Sequence, residues 1–115
     1  MQLKTRIRAK ISRGSAELAI LALLEAQPLY GFEIAKQIEE KSKGALRFTL
    51  ASLYPMLYSL EKRGWIRGRW AANSAGRDRR YYTLTTAGKR KLVPLRREWR
   101  SFFQALDRLA GVSCA

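Results

Sequence analysis

The chain has 115 residues, of which 23 are Lys or Arg, 9 are Asp or Glu and none is His, for a formal net charge of +14. This length suits one domain with a modest core, and 47% hydrophobic residues argue against a disordered chain. With no histidine and one cysteine, Cys114, histidine-based catalysis, a disulfide framework and a Cys/His zinc site are excluded. The lone thiol makes a reducing, cytoplasmic setting the expectation. No apolar run approaches the roughly 20 residues of a membrane span. The basic start resembles an export signal, but Glu17 and Glu25 bracket too short an apolar run for one.

In chain order, Leu3, Ile7 and Ile11 recur at i+4 and predict a short amphipathic helix over residues 2–12. Arg13-Gly14 is expected to break it. Ser15 then caps a helix that Leu18, Ile20, Leu21, Leu23 and Leu24 make apolar almost all round, ending at Gln27-Pro28. Tyr30-Gly31 opens a second helix with Ile34, Ala35 and Ile38 inward, and Gly44 ends it. After an extended link at residues 45–49, a third helix runs to Gly64 with Leu53, Leu57 and Leu60 inward. Pro55 places its regular start close to Ser52, with Ser52 or Thr49 as cap.

A hairpin follows. Ile66 and Trp70 alternate with Arg67 and Arg69, the stretch Asn73 to Gly76 carries turn chemistry, and Tyr82 and Leu84 alternate with Tyr81 and Thr83. Thr85 or Thr86 caps a last helix of about 25 residues. In it Leu92, Leu95, Trp99, Phe102, Leu106 and Leu109 are spaced 3, 4, 3, 4, 3, which is a coiled-coil seam. So long a stripe cannot all bury against its own small domain, and it predicts a homodimer. Pro94 is expected to kink the helix or break it near Arg90.

The fold class is therefore mainly α with a small β-hairpin: a winged helix-turn-helix plus a long C-terminal dimerisation helix. Residues 1–14 read as a basic helical arm, 15–85 as the winged helix and 86–115 as the dimerisation helix with a short tail. The charge is segregated. The arm carries Lys4, Arg6, Arg8, Lys10 and Arg13 with no acid, and residues 62–100 hold most of the other cations. Single-signed segments repel themselves unless a polyanion compensates, and double-stranded DNA is the leading candidate. The candidate DNA contacts are Ser52, Tyr54, Ser59 and Lys62 on the third helix, Arg77, Arg79 and Arg80 at the hairpin tip, and Lys4 and Arg6 in the arm. Ser52 serves equally as a cap, and Asp78 is placed to orient one of the tip arginines. No nucleophile–base pair or metal set is visible, so neither catalysis nor a cofactor is expected.

Three stretches carry a resemblance. They are Leu18 to Leu24 with Pro28-Leu-Tyr-Gly31 and Glu33-Ile34; Ser52 to Leu57 with Leu60-Glu61 and Arg63-Gly64; and Arg80 to Thr85 with Gly88. Together they resemble the PadR family of transcriptional regulators. Phe32 stands where that family usually has a tyrosine, so a hydroxyl contact from that position is lost here. The resemblance implies a dimeric DNA-binding regulator, usually a repressor, with contacts through the last and N-terminal helices. It also implies small-molecule induction in some members, with Trp99 and Phe102 as a candidate pocket for a planar hydrophobic or aromatic effector. The rival reading is a sequence-independent nucleic-acid binder held by phosphate contacts alone.

Overall fold

The computed structural model describes residues 2–72, 76 and 78–112, with side chains from residue 14 onward. Its elements are α1 (Gln2–Ala26), β1 (Leu29–Tyr30), α2 (Gly31–Lys41), α3 (Leu50–Lys62), β2 (Ile66–Ala72), β3 (Asp78–Leu84) and α4 (Thr86–Ala110). The three strands form one antiparallel sheet in the order β1-β3-β2. The hairpin register pairs Ile66 with Leu84, Gly68 with Tyr82 and Trp70 with Arg80. Tyr30, expected to open the second helix, instead lies in the short third strand opposite Tyr81. Its amide donates to Glu33 Oε1 at 3.2 Å, which caps α2 one residue later than expected. α2 stops through Lys43 and Gly44, both left-handed, and not through Gly44 alone.

The core joins every layer. Ile20, Leu21 and Leu24 of α1 meet Ile34 and Ile38 of α2, Leu53, Leu57 and Leu60 of α3, Leu29, Ile66 and Tyr82 of the sheet, and Leu92 of α4. The 3- and 4-residue spacings of these positions are why the sequence adopts these helices. Burial pushes the Tyr82 hydroxyl above its usual pKa, so it stays protonated. Among the described residues no helix is long and apolar enough to cross a membrane.

Four expectations are corrected. The break at Arg13-Gly14 is absent, and α1 runs through it as one helix. Gly14 is a groove there: a Cβ on it would lie 3.1 Å from Trp99 Cζ2 of α4. Packing against the indole offsets the roughly 1 kcal/mol that glycine costs a helix interior. The start of α3 is also earlier, because Thr49 caps it by accepting from the Ser52 amide. Pro55 thus sits in the second turn, where the orphaned Ala51 carbonyl belongs to an exposed residue and is open to water. Likewise α4 passes Pro94 without a break, and the exposed Arg90 carbonyl is the group that loses its partner. Finally, Leu92 is fully buried in its own chain's core and is unavailable to a second copy.

The rest of the proposed seam emerges from the core turn by turn. Leu95 still packs on the core, Trp99 and Leu106 are half-buried, and Phe102 and Leu109 are exposed, Leu109 to 86%. The Cα radius of gyration, 15.5 Å, exceeds the about 13 Å of a compact chain this long because α4 stands off the domain. Glu25 of α1 and Arg96 of α4 bond at 2.8 Å, which holds the Glu25 carboxyl below its usual pKa and ties the two long helices.

α4 begins at a tight junction. Thr85 Oγ1 donates to the Gly64 carbonyl at 2.6 Å and accepts from the Gly88 amide at 3.0 Å. A Cβ on Gly88 would lie 2.0 Å from the Trp65 carbonyl oxygen, a backbone atom with little room to move. Gly88→Ala is therefore expected to destabilise the fold by about 1–3 kcal/mol through overpacking. A lowered urea midpoint with an unchanged m-value is the checking measurement.

Candidate nucleic-acid interface

α3 buries Leu53, Leu57 and Leu60 and turns the opposite side of the same helix outward. That outward side carries Ala51, Tyr54, Pro55, Tyr58 and Lys62, all exposed. Tyr54 lies over Gly31 at the start of α2. Tyr58 is 77% exposed and projects furthest of the described aromatics. Ser52 and Ser59 sit together on one edge of this face, a spacing of seven residues. Both hydroxyls are engaged within the chain. Ser52 Oγ lies 2.8 Å from Thr49 Oγ1, and Ser59 Oγ accepts from Arg63 Nη2 at 3.0 Å. Arg63 is itself held by Glu17 at 2.7 Å, and its guanidinium lies 4.3 Å from the Trp65 ring centre.

The hairpin stands beside α3, and one carboxylate joins them. Glu61 Oε2 accepts from the Gly68 amide at 3.3 Å and from Arg80 Nη2. Gly68 has to lack a side chain, because a Cβ there would lie 2.4 Å from Arg80 Nε. Trp70 and Tyr82 flank the same guanidinium, each with its ring centre 5.8 Å away. Arg80 was expected to reach DNA from the hairpin tip; the geometry places it in an intramolecular bracket between α3 and β3. Arg79, on the other face of the strand, stacks over Tyr30 at 4.4 Å.

Between α3 and the hairpin lies an open groove of about 840 Å³, lined by Tyr30, Phe32, Tyr54, Tyr58 and Trp70 with Lys62 and Arg79 among its charges. Trp70 is 64% exposed there: it shares the Ile66 face of β2 but stands beyond the end of the core. The ion pairs among the described residues take up Lys36, Arg47, Arg63, Arg80 and Arg96. Lys62, Arg67, Arg69 and Arg79 have no carboxylate partner in that set. The surface is thus a platform of aromatic rings and uncompensated cations.

Of the sequence-derived candidates, Tyr54, Lys62 and Arg79 come together on this surface. Ser52 and Ser59 border it, and Arg80 braces it from within. Arg77 and Cys114 lie outside the described residues, and the side chains of Lys4, Arg6, Arg8 and Lys10 are not described either. Asp78 takes no part in the contacts of Arg79 or Arg80 given above. Sequence reasoning missed Tyr58, Trp70 and Glu61 as members of this surface. The signal for Tyr58 was available, since positions 54, 58 and 62 repeat at i+4 opposite the leucines. On α4, the Trp99 ring meets Phe102 edge-on at 5.7 Å and Phe103 at 5.8 Å, on the side that faces Gly14.

Comparison with known proteins places this geometry. A protein of Lysinibacillus sphaericus is 32% identical over 101 residues, covering 88% of this chain and 93% of that one. The structure of a transcriptional regulator from Clostridium thermocellum superposes with a TM-score of 0.80 at 27% identity, covering 88% of this chain and 98% of that one. Bacillus subtilis PadR, solved in complex with operator DNA, matches with a TM-score of 0.62 at 29% identity. That match covers 68% of this chain and 44% of the longer PadR subunit. The family model for PadR-like transcriptional regulators matches residues 20–93, from the core of α1 into the first turns of α4. The fold, the α3–hairpin surface and this match over most of the chain agree: the protein belongs to the PadR-like family of transcriptional regulators.

Proposed function

We propose that this chain is a homodimeric DNA-binding repressor that recognises a pseudo-palindromic operator and acts on the nucleoid in the cytoplasm. The observation that carries this reading is the single surface formed by the outward side of α3 and the hairpin, where Lys62, Arg67, Arg69 and Arg79 are free of carboxylate partners. α3 enters the major groove and its cations meet the flanking phosphates. The hairpin rests on the backbone and the neighbouring minor groove. The operator complex of Bacillus subtilis PadR supports this assignment through the shared fold.

A dimer supplies what α4 lacks. Phe102, Phe103, Leu109 and Val112 are exposed apolar side chains on one long helix, and a second copy would cover them. Two half-sites about one helical turn apart then match two α3 helices related by a two-fold axis. The ring cluster of Trp99, Phe102 and Phe103 is where a planar aromatic effector would meet the regulator, next to the α1–α4 contact.

Selection of bound duplexes from a random pool at about 0.15 M salt tests the function, because exposed charge is well screened at that ionic strength. An enriched inverted repeat is expected. Binding with no enrichment that collapses as salt rises would overturn the reading in favour of a sequence-independent binder. Leu106→Glu is expected to give a folded monomer by sedimentation that no longer binds tightly; a persistent dimer would move the interface elsewhere. Arg79→Ala and Lys62→Ala are each expected to flatten the logarithmic salt slope by about 1, the value of one phosphate contact. Glu61→Gln is expected to weaken binding while leaving the slope nearly unchanged, because Glu61 positions the hairpin without touching phosphate; titration across a salt series separates the two.

A further inference from the structure

The side chains that α3 presents are an unusual set for a helix that reads a groove. Leu50 to Lys62 contains no Arg, Asn, Gln, Asp or His. The bidentate pairings of Arg with guanine and of Asn or Gln with adenine are therefore unavailable from this helix. Its one acid, Glu61, is committed to Arg80 and Gly68. Its one base, Lys62, is the last residue of the helix, suited to phosphate and distant from the N-terminal end that approaches base edges. Ser52 and Ser59 already bond within the chain. What remains along the centre of the outward side is Ala51, Pro55 and Tyr58, an exposed apolar row at spacings of 4 and 3.

Only one feature of the major groove answers an apolar row, and that is the C5-methyl group of thymine. We infer that Tyr58, with Ala51 and Pro55 beside it, reads thymine methyls, so that this regulator selects half-sites with A·T pairs facing α3. Tyr58 carries the assignment. It is 77% exposed, and among the described residues no hydrogen bond, ion pair or ring contact holds it. Its ring offers a flat apolar face on which a methyl loses its water. The hairpin leans the same way, because Arg side chains prefer the narrow minor groove of A·T-rich tracts. This inference rests on the operator-binding reading proposed above and specifies its sequence class.

Replacing thymine by uracil tests it, since the exchange deletes the methyl and keeps the base pair. Duplexes are first selected from the random pool. Each thymine of the enriched half-site is then replaced by deoxyuridine, and affinity is measured for the wild type, Tyr58→Phe and Tyr58→Ala. A buried methyl corresponds to about a fourfold change in affinity, or about fifteenfold for one in each of two half-sites. Wild type and Tyr58→Phe are expected to lose that much on the uracil duplex. Tyr58→Ala is expected to bind the thymine and uracil duplexes alike, with an unchanged denaturation midpoint because the side chain is outside the core. Three results would overturn the inference: equal wild-type affinity for both duplexes, a uracil penalty that survives Tyr58→Ala, or enriched sites whose α3-facing positions are all G·C. If Tyr58→Phe alone abolishes preference for the selected site, the phenol hydroxyl is the reader, and the methyl assignment falls. Failure to enrich any site would overturn the operator reading itself, which separates its failure from that of this inference.

Discussion

Glu61 is the side chain on which the shape of the DNA-facing surface depends. It is the acid at the end of α3, and two separate groups of the hairpin bond to one of its oxygens. A β-hairpin projecting from a small domain would otherwise pivot about its base, since only Ile66, Leu84 and Tyr82 anchor it in or against the core. A partly buried carboxylate with a guanidinium and an amide bonded to it is a stiffer connection than an exposed ion pair, for which screening and side-chain entropy consume most of the gain. The absence of a side chain at Gly68 makes room for the guanidinium, and Trp70 and Tyr82 close over it. The angle between α3 and the hairpin is thereby set inside the chain before any partner arrives.

The second constraint is how the domain joins α4. The Thr85 hydroxyl closes the end of α3 onto the start of α4 through Gly64 and Gly88, so four elements meet within a few ångströms. From there α4 runs back along α1, held by Leu92 in the core, by Arg96 on Glu25 and by Trp99 in the notch at Gly14. Both the platform and the long helix are thus referred to one rigid core. Whatever fixes the separation of two such cores in a dimer also fixes the separation of their platforms.

Much of this architecture was legible in the sequence because local rules and the fold agree. The leucines of α3, the amphipathic spacing of α2, the alternation of the hairpin and the caps at Thr49 and Thr85 each follow from periodicity and capping chemistry. The misses have a common cause, since each depends on a partner distant in the chain. Gly14 reads as a helix breaker until an indole 85 positions further along fills its notch. Leu92 falls in register with an intermolecular seam, yet three-dimensional packing sends it inward. Arg80 counts as one more tip cation until Glu61 claims it. Pro55 and Pro94 look disruptive because spacing does not reveal that the carbonyls they orphan belong to exposed residues. Tyr58 is the exception, a residue that the helical period could have found.

The uneven burial of α4 divides the labour between its two ends. The core is complete at Leu92, and the turns beyond Trp99 contribute little to closing it. Substitutions in those turns can therefore reshape pairing between subunits, even which related chains pair, while the DNA-facing domain continues to fold as before. Such a helix lets the choice of partner drift independently of the platform that the partner carries, so copies of one such gene could diverge into regulators that do not cross-assemble.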